Sequence, residues 1–230
     1  MFEEQRKWKF DEKIAPVFDA HVQQSVPGYA RIQESVASMT DFFCESGSVV
    51  LDLGCSTGET LVRIKSMGVD KKILCMGVDE SPDMIQQAIK KTKGDSDYRF
   101  YQDRLEAFEF PSDVSVITSI LTMQFVKQRY RLDVLKKIYQ SLEPGGAFFF
   151  VEKTFAERAL VQDLFTQVYH DFKESQGLSK EEIRLKDKSL RGVMLPRTVK
   201  ENEYLLKEAG FEHVEMFFKD LHFTGWIAIK

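Results

Sequence analysis

The chain has 230 residues, a net charge of -4 at pH 7, 43% hydrophobic and 30% charged residues and 6 prolines. That is enough chain to bury one sizeable α/β core, and the composition excludes a disordered or fibrous protein. The acidic balance argues against direct nucleic-acid binding; the longest apolar run, Ala147–Val151, is too short to span a bilayer, and no apolar leader opens the chain, so a soluble cytoplasmic protein is expected. Cys44, Cys55 and Cys75 are scattered and odd in number, which predicts free thiols. The four histidines lack HxxxH or HExxH spacing, so no metal is expected.

Residues 1–47 read as helices broken at Pro16 and Pro27-Gly28, laid as a lid over the ligand edge of a sheet. From residue 48, short apolar runs alternate with helical patterns, the signature of right-handed βαβ units. Ser48–Leu53, Lys72–Val78, Tyr98–Tyr101, Val114–Ser119 and Ala147–Glu152 are predicted as five mostly parallel strands, apolar throughout because helices cover both faces. Helices are predicted over Gly58–Met67, over Ser81–Lys91 with Ser81 as N-cap and Pro82 at the first turn, and over Arg129–Leu142. A helical insertion over the site is expected at 155–197, comprising Phe155–Gln176 and the charged stretch Lys180–Arg191. Helix Val199–Ala209 with its Gly210 stop and the strands His213–Lys219 and His222–Lys230, joined as an antiparallel hairpin, complete a single seven-stranded Rossmann-like domain.

The strongest local signal is Val49-Val50-Leu51-Asp52-Leu53-Gly54-Cys55-Ser56-Thr57-Gly58, a buried strand running into a glycine turn and a helix. Gly54 and Gly58 permit a sharp turn and close approach to a ligand, and Asp52 at the strand's end can accept from an ammonium. Asp79, with Glu80 beside it, ends the second strand where an acid reaches ribose hydroxyls; Asp103, followed by Arg104, stands where a carboxylate reaches an adenine amine. A dinucleotide site would need G-x-G-x-x-G, whereas Ser56 and Glu59 occupy the second and third glycine positions. The expected cofactor is S-adenosylmethionine (SAM).

These residues resemble the class I SAM-dependent methyltransferases in the Asp52-Leu53-Gly54-x-x-x-Gly58 loop, the acid at Asp79 and the Leu142-Glu143-Pro144-Gly145-Gly146 turn. Within that superfamily the chain is most similar to the carboxy-S-adenosyl-L-methionine synthase family, over nearly its whole length. The likeness is most specific at Phe10–Ala15, Ser25–Tyr29, Met123–Phe125, Glu152-Lys153, His170–Lys173 and Lys207–Phe211. It implies cofactor contacts at Tyr29, Gly54, Cys55, Ser56, Asp79, Glu80, Asp103 and Arg104, to which the strand-end position adds Ser119. It also implies a homodimer; Phe165, Tyr169 and Phe172 stripe one helical face, which belongs either to that interface or to the core. Two positions depart from the pattern: the family's asparagine after the fourth strand is Ile120, and its carboxylate-binding arginine falls on Asp187.

Methyl transfer from a sulfonium needs in-line approach and, for weak nucleophiles, a base, so no fixed catalytic motif is expected. Tyr29 is a candidate for orienting the reacting group and His170 for the base, while Asp171 and Lys173 read as helix-surface or interface groups. Arg184, Lys186, Lys188, Arg191, Arg197 and Lys200 form a basic run, within which Arg184, Lys188 and Arg191 are candidates for binding an anionic substrate. With Ile120 and Asp187 in place, the expected reaction is methyl transfer to a small anionic metabolite. The alternatives are synthesis of carboxy-SAM from prephenate and SAM, used for tRNA wobble-uridine modification, and a non-catalytic SAM-binding subunit.

Overall fold

The computed structural model describes residues 8–67 and 71–230, so the first seven residues of the expected lid lie outside the described residues. Strands β1 (Val49–Leu53), β2 (Leu74–Asp79), β3 (Tyr98–Gln102), β4 (Val114–Ile120), β5 (Leu142–Phe155), β7 (His213–Asp220) and β8 (Phe223–Ile229) form one sheet in the order β3-β2-β1-β4-β5-β8-β7. The first five strands are parallel; β8 runs antiparallel between β5 and β7. A two-residue strand, β6 (Arg197–Thr198), also pairs with β5.

Alternation along the strands sends Leu51, Val78, Ile117, Phe148 and Phe150 to one face and Val50, Cys75, Val116, Phe149 and Val151 to the other. The first face is covered by α5 (Gln128–Ser141) and α8 (Val199–Ala209), where Phe150 stacks on Trp226 at 5.4 Å between ring centres. The second is covered by α2 (Tyr29–Thr40) and α3 (Glu59–Met67), through Ile32, Val36, Leu61 and Ile64. Helix α2 is thus part of the core, and from the expected lid only the stretch ending with α1 (Phe18–Ser25) and Val26, plus Tyr29, faces the ligand edge.

Local signals set the element ends. Ser81 Oγ accepts from Met84 N at 3.2 Å and caps α4 (Pro82–Lys91). Capping boxes Ser179/Glu182 and Thr198/Glu201 open α7 (Lys180–Ser189) and α8. Phe155 was expected to begin a helix, but β5 runs on to it, held by the pairing of Thr154 and Phe155 with β6, and α6 begins at Ala159 and ends at Ser175. The aromatic stripe on α6 turns inward: Tyr169 is buried, and Phe165 meets the His222 ring at 5.7 Å. Leu160, Leu164 and Val168 are the exposed large apolar side chains of that helix. Among the described residues no helix is long and apolar enough to cross a membrane, and no group of three or more His, Cys, Asp or Glu side chains is placed to hold a metal ion. All three cysteines are free and buried.

Candidate active site

The turn after β1 depends on three residues of positive φ. Gly54 (φ 69°), Ser56 (φ 48°) and Gly58 (φ 75°) are left-handed, and a Cβ on Gly54 would fall on the side chain of Thr122. Gly54 N and Cys55 N both donate to Val78 O, at 2.8 and 3.0 Å, which ties the turn to β2. Asp79 Oδ2 accepts from Ser56 N at 3.0 Å and Oδ1 from Ser81 N at 2.9 Å, so this acid joins the β1 turn to the start of α4. Burial raises the Asp79 pKa, and those two N–H donors pull the other way. Asp103 follows β3, its backbone N–H donating to Asp79 O at 3.1 Å.

Asp52 is buried at the end of β1 and accepts from Thr118 Oγ1 at 2.6 Å. Burial pushes its carboxyl up to about 7, more than the Thr118 hydrogen bond offsets. A cation placed beside it would restore the ionised form. The β4 end is fixed by Arg131, which donates to Val126 O at 2.8 Å and Leu195 O at 2.7 Å, beside the buried Glu152, whose Oε1 has no hydrogen-bond partner among the described residues.

The N-terminal segment closes over these strand ends. Ser81 Oγ donates to Phe10 O at 2.5 Å, and Trp8 N donates to Ser189 O at 3.1 Å on α7. Lys91 donates to Asp19 (2.6 Å), Glu59 (2.8 Å) and Thr57 (3.0 Å), tying α1 to the cofactor turn. The result is a cavity of about 380 Å³, within the range of small-molecule sites. It is lined by Asp52, Gly54, Cys55, Ser56, Asp79, Glu80, Asp103 and Arg104, with Phe10, Phe18 and Leu190 among its apolar walls. These features fit SAM: turned glycines for close approach, acids at successive strand ends, and a buried carboxyl facing the ammonium's expected place.

The cavity also holds three lysines from three elements, Lys153 of β5, Lys173 of α6 and Lys186 of α7. The Lys153 and Lys173 ammoniums sit 4.6 and 4.3 Å from the centre of the Tyr169 ring, and that of Lys186 sits 4.9 Å from the Trp8 ring. Burial first, then the neighbouring lysines, brings Lys153 and Lys186 down to about 8. Burial also lowers Lys173, against the pull of Asp187. Lys173 donates to Asp187 Oδ1 at 3.4 Å, and His170 Nε2 donates to Asp187 Oδ2 at 3.0 Å. Lys186 donates to His21 Nε2 and, at 3.1 Å, to Ser25 Oγ. Burial and the charge of Lys186 hold His21 down to about 4, as a neutral acceptor.

Of the residues singled out from the sequence, Tyr29 and the loop and strand-end acids line this cavity together. Tyr29 Oη accepts from Gln33 Nε2 at 3.2 Å, and burial raises its pKa. Gly58 shapes the turn without lining the cavity, and Ser119 is buried in the sheet with Oγ unpaired, one residue short of Ile120, which does line it. His170 reaches the cavity only through Asp187. Arg184, Lys188 and Arg191 line a separate surface depression with His170, and Arg184 pairs with Glu181 at 2.6 Å. Lys173 is no surface group: its side chain is 2% exposed. The three cavity lysines were not distinguished in the sequence, although helical spacing carried a signal. Ile183, Lys186, Asp187 and Leu190 share one face of α7, whereas Arg184, Lys188 and Arg191 share another.

A family profile described as a methyltransferase domain matches residues 50–146. The chain is 37% identical over 225 residues to the carboxy-S-adenosyl-L-methionine synthase of Staphylococcus epidermidis, covering 97% of each chain. It is 36% identical over 230 residues to that of Wolinella succinogenes, covering 98% of this chain and 94% of the relative. The chain belongs to the carboxy-S-adenosyl-L-methionine synthase family. It is a SAM-dependent transferase with the class I methyltransferase fold. In fold it matches a SAM-dependent methyltransferase of Methanococcus maripaludis, described in its structure as putative, at TM-score 0.63 and 18% identity, covering 98% of this chain and 95% of that one. It also matches phosphoethanolamine N-methyltransferase 2 of Haemonchus contortus in complex with SAM, at TM-score 0.63 and 14% identity, covering 86% of this chain and 52% of that one.

Proposed function

We propose that the chain makes carboxy-SAM, moving a carboxylate from prephenate to the methyl carbon of SAM. The observation that carries this reading is the cavity, in which the cofactor turn and strand-end acids share one space with a basic end. A co-substrate there is a small molecule in contact with the sulfonium. In the overall balance, SAM and prephenate give carboxy-SAM, phenylpyruvate and water: the methyl carbon loses a proton and gains a carboxylate, and prephenate loses that carboxylate and hydroxide to become aromatic.

In this assignment Asp52 faces the ammonium of SAM, Asp79 and Glu80 the ribose, Asp103 the adenine amine, and Tyr29 the reacting group. When bound, SAM supplies a methyl group made acidic by the positive sulfur. The protein's part is to orient it and to exclude bulk water behind Phe10, Phe18 and Leu190. Asp187 does not oppose an acid, because both its oxygens are taken by Lys173 and His170. The reaction is tested by incubating the protein with prephenate and SAM and weighing the nucleoside product. Gain of one carboxylate supports the reading, and S-adenosylhomocysteine with a methylated acid would return the site to methyl transfer. The family reading also carries a homodimer; light scattering that gives the single-chain mass of 26.6 kDa would overturn it.

A further inference from the structure

Helix α2 packs on the sheet through Ile32, Val36 and Ala37, and it also buries Gln33, at 1% exposure. Gln33 stands one turn after Tyr29 and does not itself line the cavity. Its Nε2 donates to Tyr29 Oη at 3.2 Å and to Thr60 Oγ1 at 3.4 Å, and both of those residues do line it. Among the described residues Gln33 Oε1 has no partner. Burying an acceptor unpaired is costly, and an apolar side chain of similar length would fill the place without that cost. What the amide adds is a hydrogen bond to two hydroxyls on the cavity wall.

The bond to Tyr29 has a direction. A phenol oxygen that accepts from Nε2 keeps its own hydrogen for another partner, and among the described residues no acceptor takes it. Burial first, and then the charges of Asp52, Asp19 and Glu59, raise the Tyr29 pKa, so the hydroxyl keeps its hydrogen at neutral pH. Of those charges Asp52 acts most strongly, which puts the hydroxyl near the amino-acid end of the cofactor site. Asp19 and Glu59 are paired with Lys91, and Glu59 also with Arg63, which offsets their repulsion of an anion there. The acceptor that SAM carries beside its ammonium, on the same carbon, is its carboxylate.

We propose that Gln33 is a positioning residue that holds the Tyr29 hydroxyl as a hydrogen-bond donor to the carboxylate of SAM. The Tyr29 ring then faces the reacting group while its hydroxyl reaches the amino-acid end, two methylenes away along the methionyl chain. The inference rests on the functional reading in placing the ammonium of SAM at Asp52, and not on which group the enzyme transfers. It also accounts for the unpaired Oε1: the amide is kept for what its other end does in the site.

The test is calorimetric titration of SAM and of decarboxylated SAM into the full-length chain and its variants, with the Tm of the ligand-free chains measured alongside. Gln33→Met should weaken SAM about threefold to tenfold, as for loss of one neutral hydrogen bond, and leave decarboxylated SAM unchanged. Its ligand-free Tm should be equal to that of the wild type or higher, since the unpaired acceptor is gone; a merely structural glutamine would lower it. Tyr29→Phe should weaken SAM about tenfold to a hundredfold, as for a hydrogen bond to a charged group, and adding Gln33→Met to it should cost no more, because the amide acts only through the hydroxyl. Additive losses in the double variant, equal losses for the two nucleosides, an unchanged SAM affinity in Gln33→Met or a fall of several degrees in its ligand-free Tm would overturn the proposal. A gain in SAM affinity in Gln33→Met would also overturn it, by showing that the amide takes the Tyr29 hydrogen. Equal losses for the two nucleosides alongside carboxy-SAM production would remove this inference alone, whereas the expected pattern without carboxy-SAM would keep it and remove the synthase reading.

Discussion

If Asp52 receives the ammonium of SAM, cofactor affinity must depend on pH in a defined way. In the free chain burial holds this carboxyl at about 7, while its ordinary value is 3.8. An ammonium against it stabilises the ionised form and draws the pKa back down, so SAM binds the ionised chain and binding below pH 7 releases a proton. With a pKa of about 7, roughly 1% of free chains are ionised at pH 5 and about half at pH 7, so affinity should rise about fiftyfold between them, or about 2.3 kcal/mol. The amino group of SAM itself discharges near pH 8, so affinity should peak between about pH 7 and 8. Calorimetry in two buffers of different ionisation enthalpy gives both the affinity and the proton count. Asp52→Asn keeps a hydrogen-bond acceptor for Thr118, removes the titrating group and should flatten the acid limb. A wild-type profile that is flat from pH 5 to 7, or an unaltered limb in Asp52→Asn, would refute the placement of Asp52 at the ammonium.

Three further outcomes follow from the same geometry. Burial raises Asp52 from 3.8 to about 7 and Glu152 from 4.5 to about 8, so the folded chain holds both protons longer than the unfolded one; their contribution to stability is full below about pH 4 and lost as pH rises to about 8, and ligand-free Tm should fall over that window less steeply in Glu152→Gln. Gly54→Ala combines a left-handed backbone with a Cβ falling on Thr122, and SAM affinity should drop more than tenfold; Gly47→Ala, at φ 100° with no atom within 4 Å of the new Cβ, should lose some thermal stability and keep SAM affinity. Lys91→Met leaves Asp19 and Glu59 facing each other across the α1 contact, and stopped-flow release of SAM should become severalfold faster, whereas Lys65→Met, whose partners are Asp95 and Asp97, should leave it unchanged.

Much of the architecture was legible because local and global signals agree in this chain. The near-continuous apolar strands, the Ser81-Pro82 helix start and the Gly210 stop each state one local preference that the fold obeys. The cofactor turn was legible for the same reason: its glycines are needed where the backbone takes positive φ. The insertion was read less well. Phe155 is strand rather than helix because pairing with Thr198 of β6, 43 residues later, outweighs its local context. The inward turn of Phe165, Tyr169 and Phe172 depends on where His222 and Ser25 lie, and Tyr169 Oη donates to Ser25 O at 2.7 Å across 144 residues of chain. The basic end is the extreme case, since three elements each bring one lysine and no spacing in the sequence records their meeting. Its trace was the face of α7 shared by Ile183, Lys186 and Leu190, and a charge count over the whole run 184–200 obscures that face.

The most direct test of the account is the mass of the nucleoside formed when the purified chain turns over SAM with prephenate. The account predicts a product heavier than SAM by one carboxylate in place of one hydrogen, appearing together with phenylpyruvate and abolished when Asp79→Ala removes the bridge between the cofactor turn and α4. Recovery of S-adenosylhomocysteine with a methylated acid, or of unchanged SAM and prephenate, would contradict it.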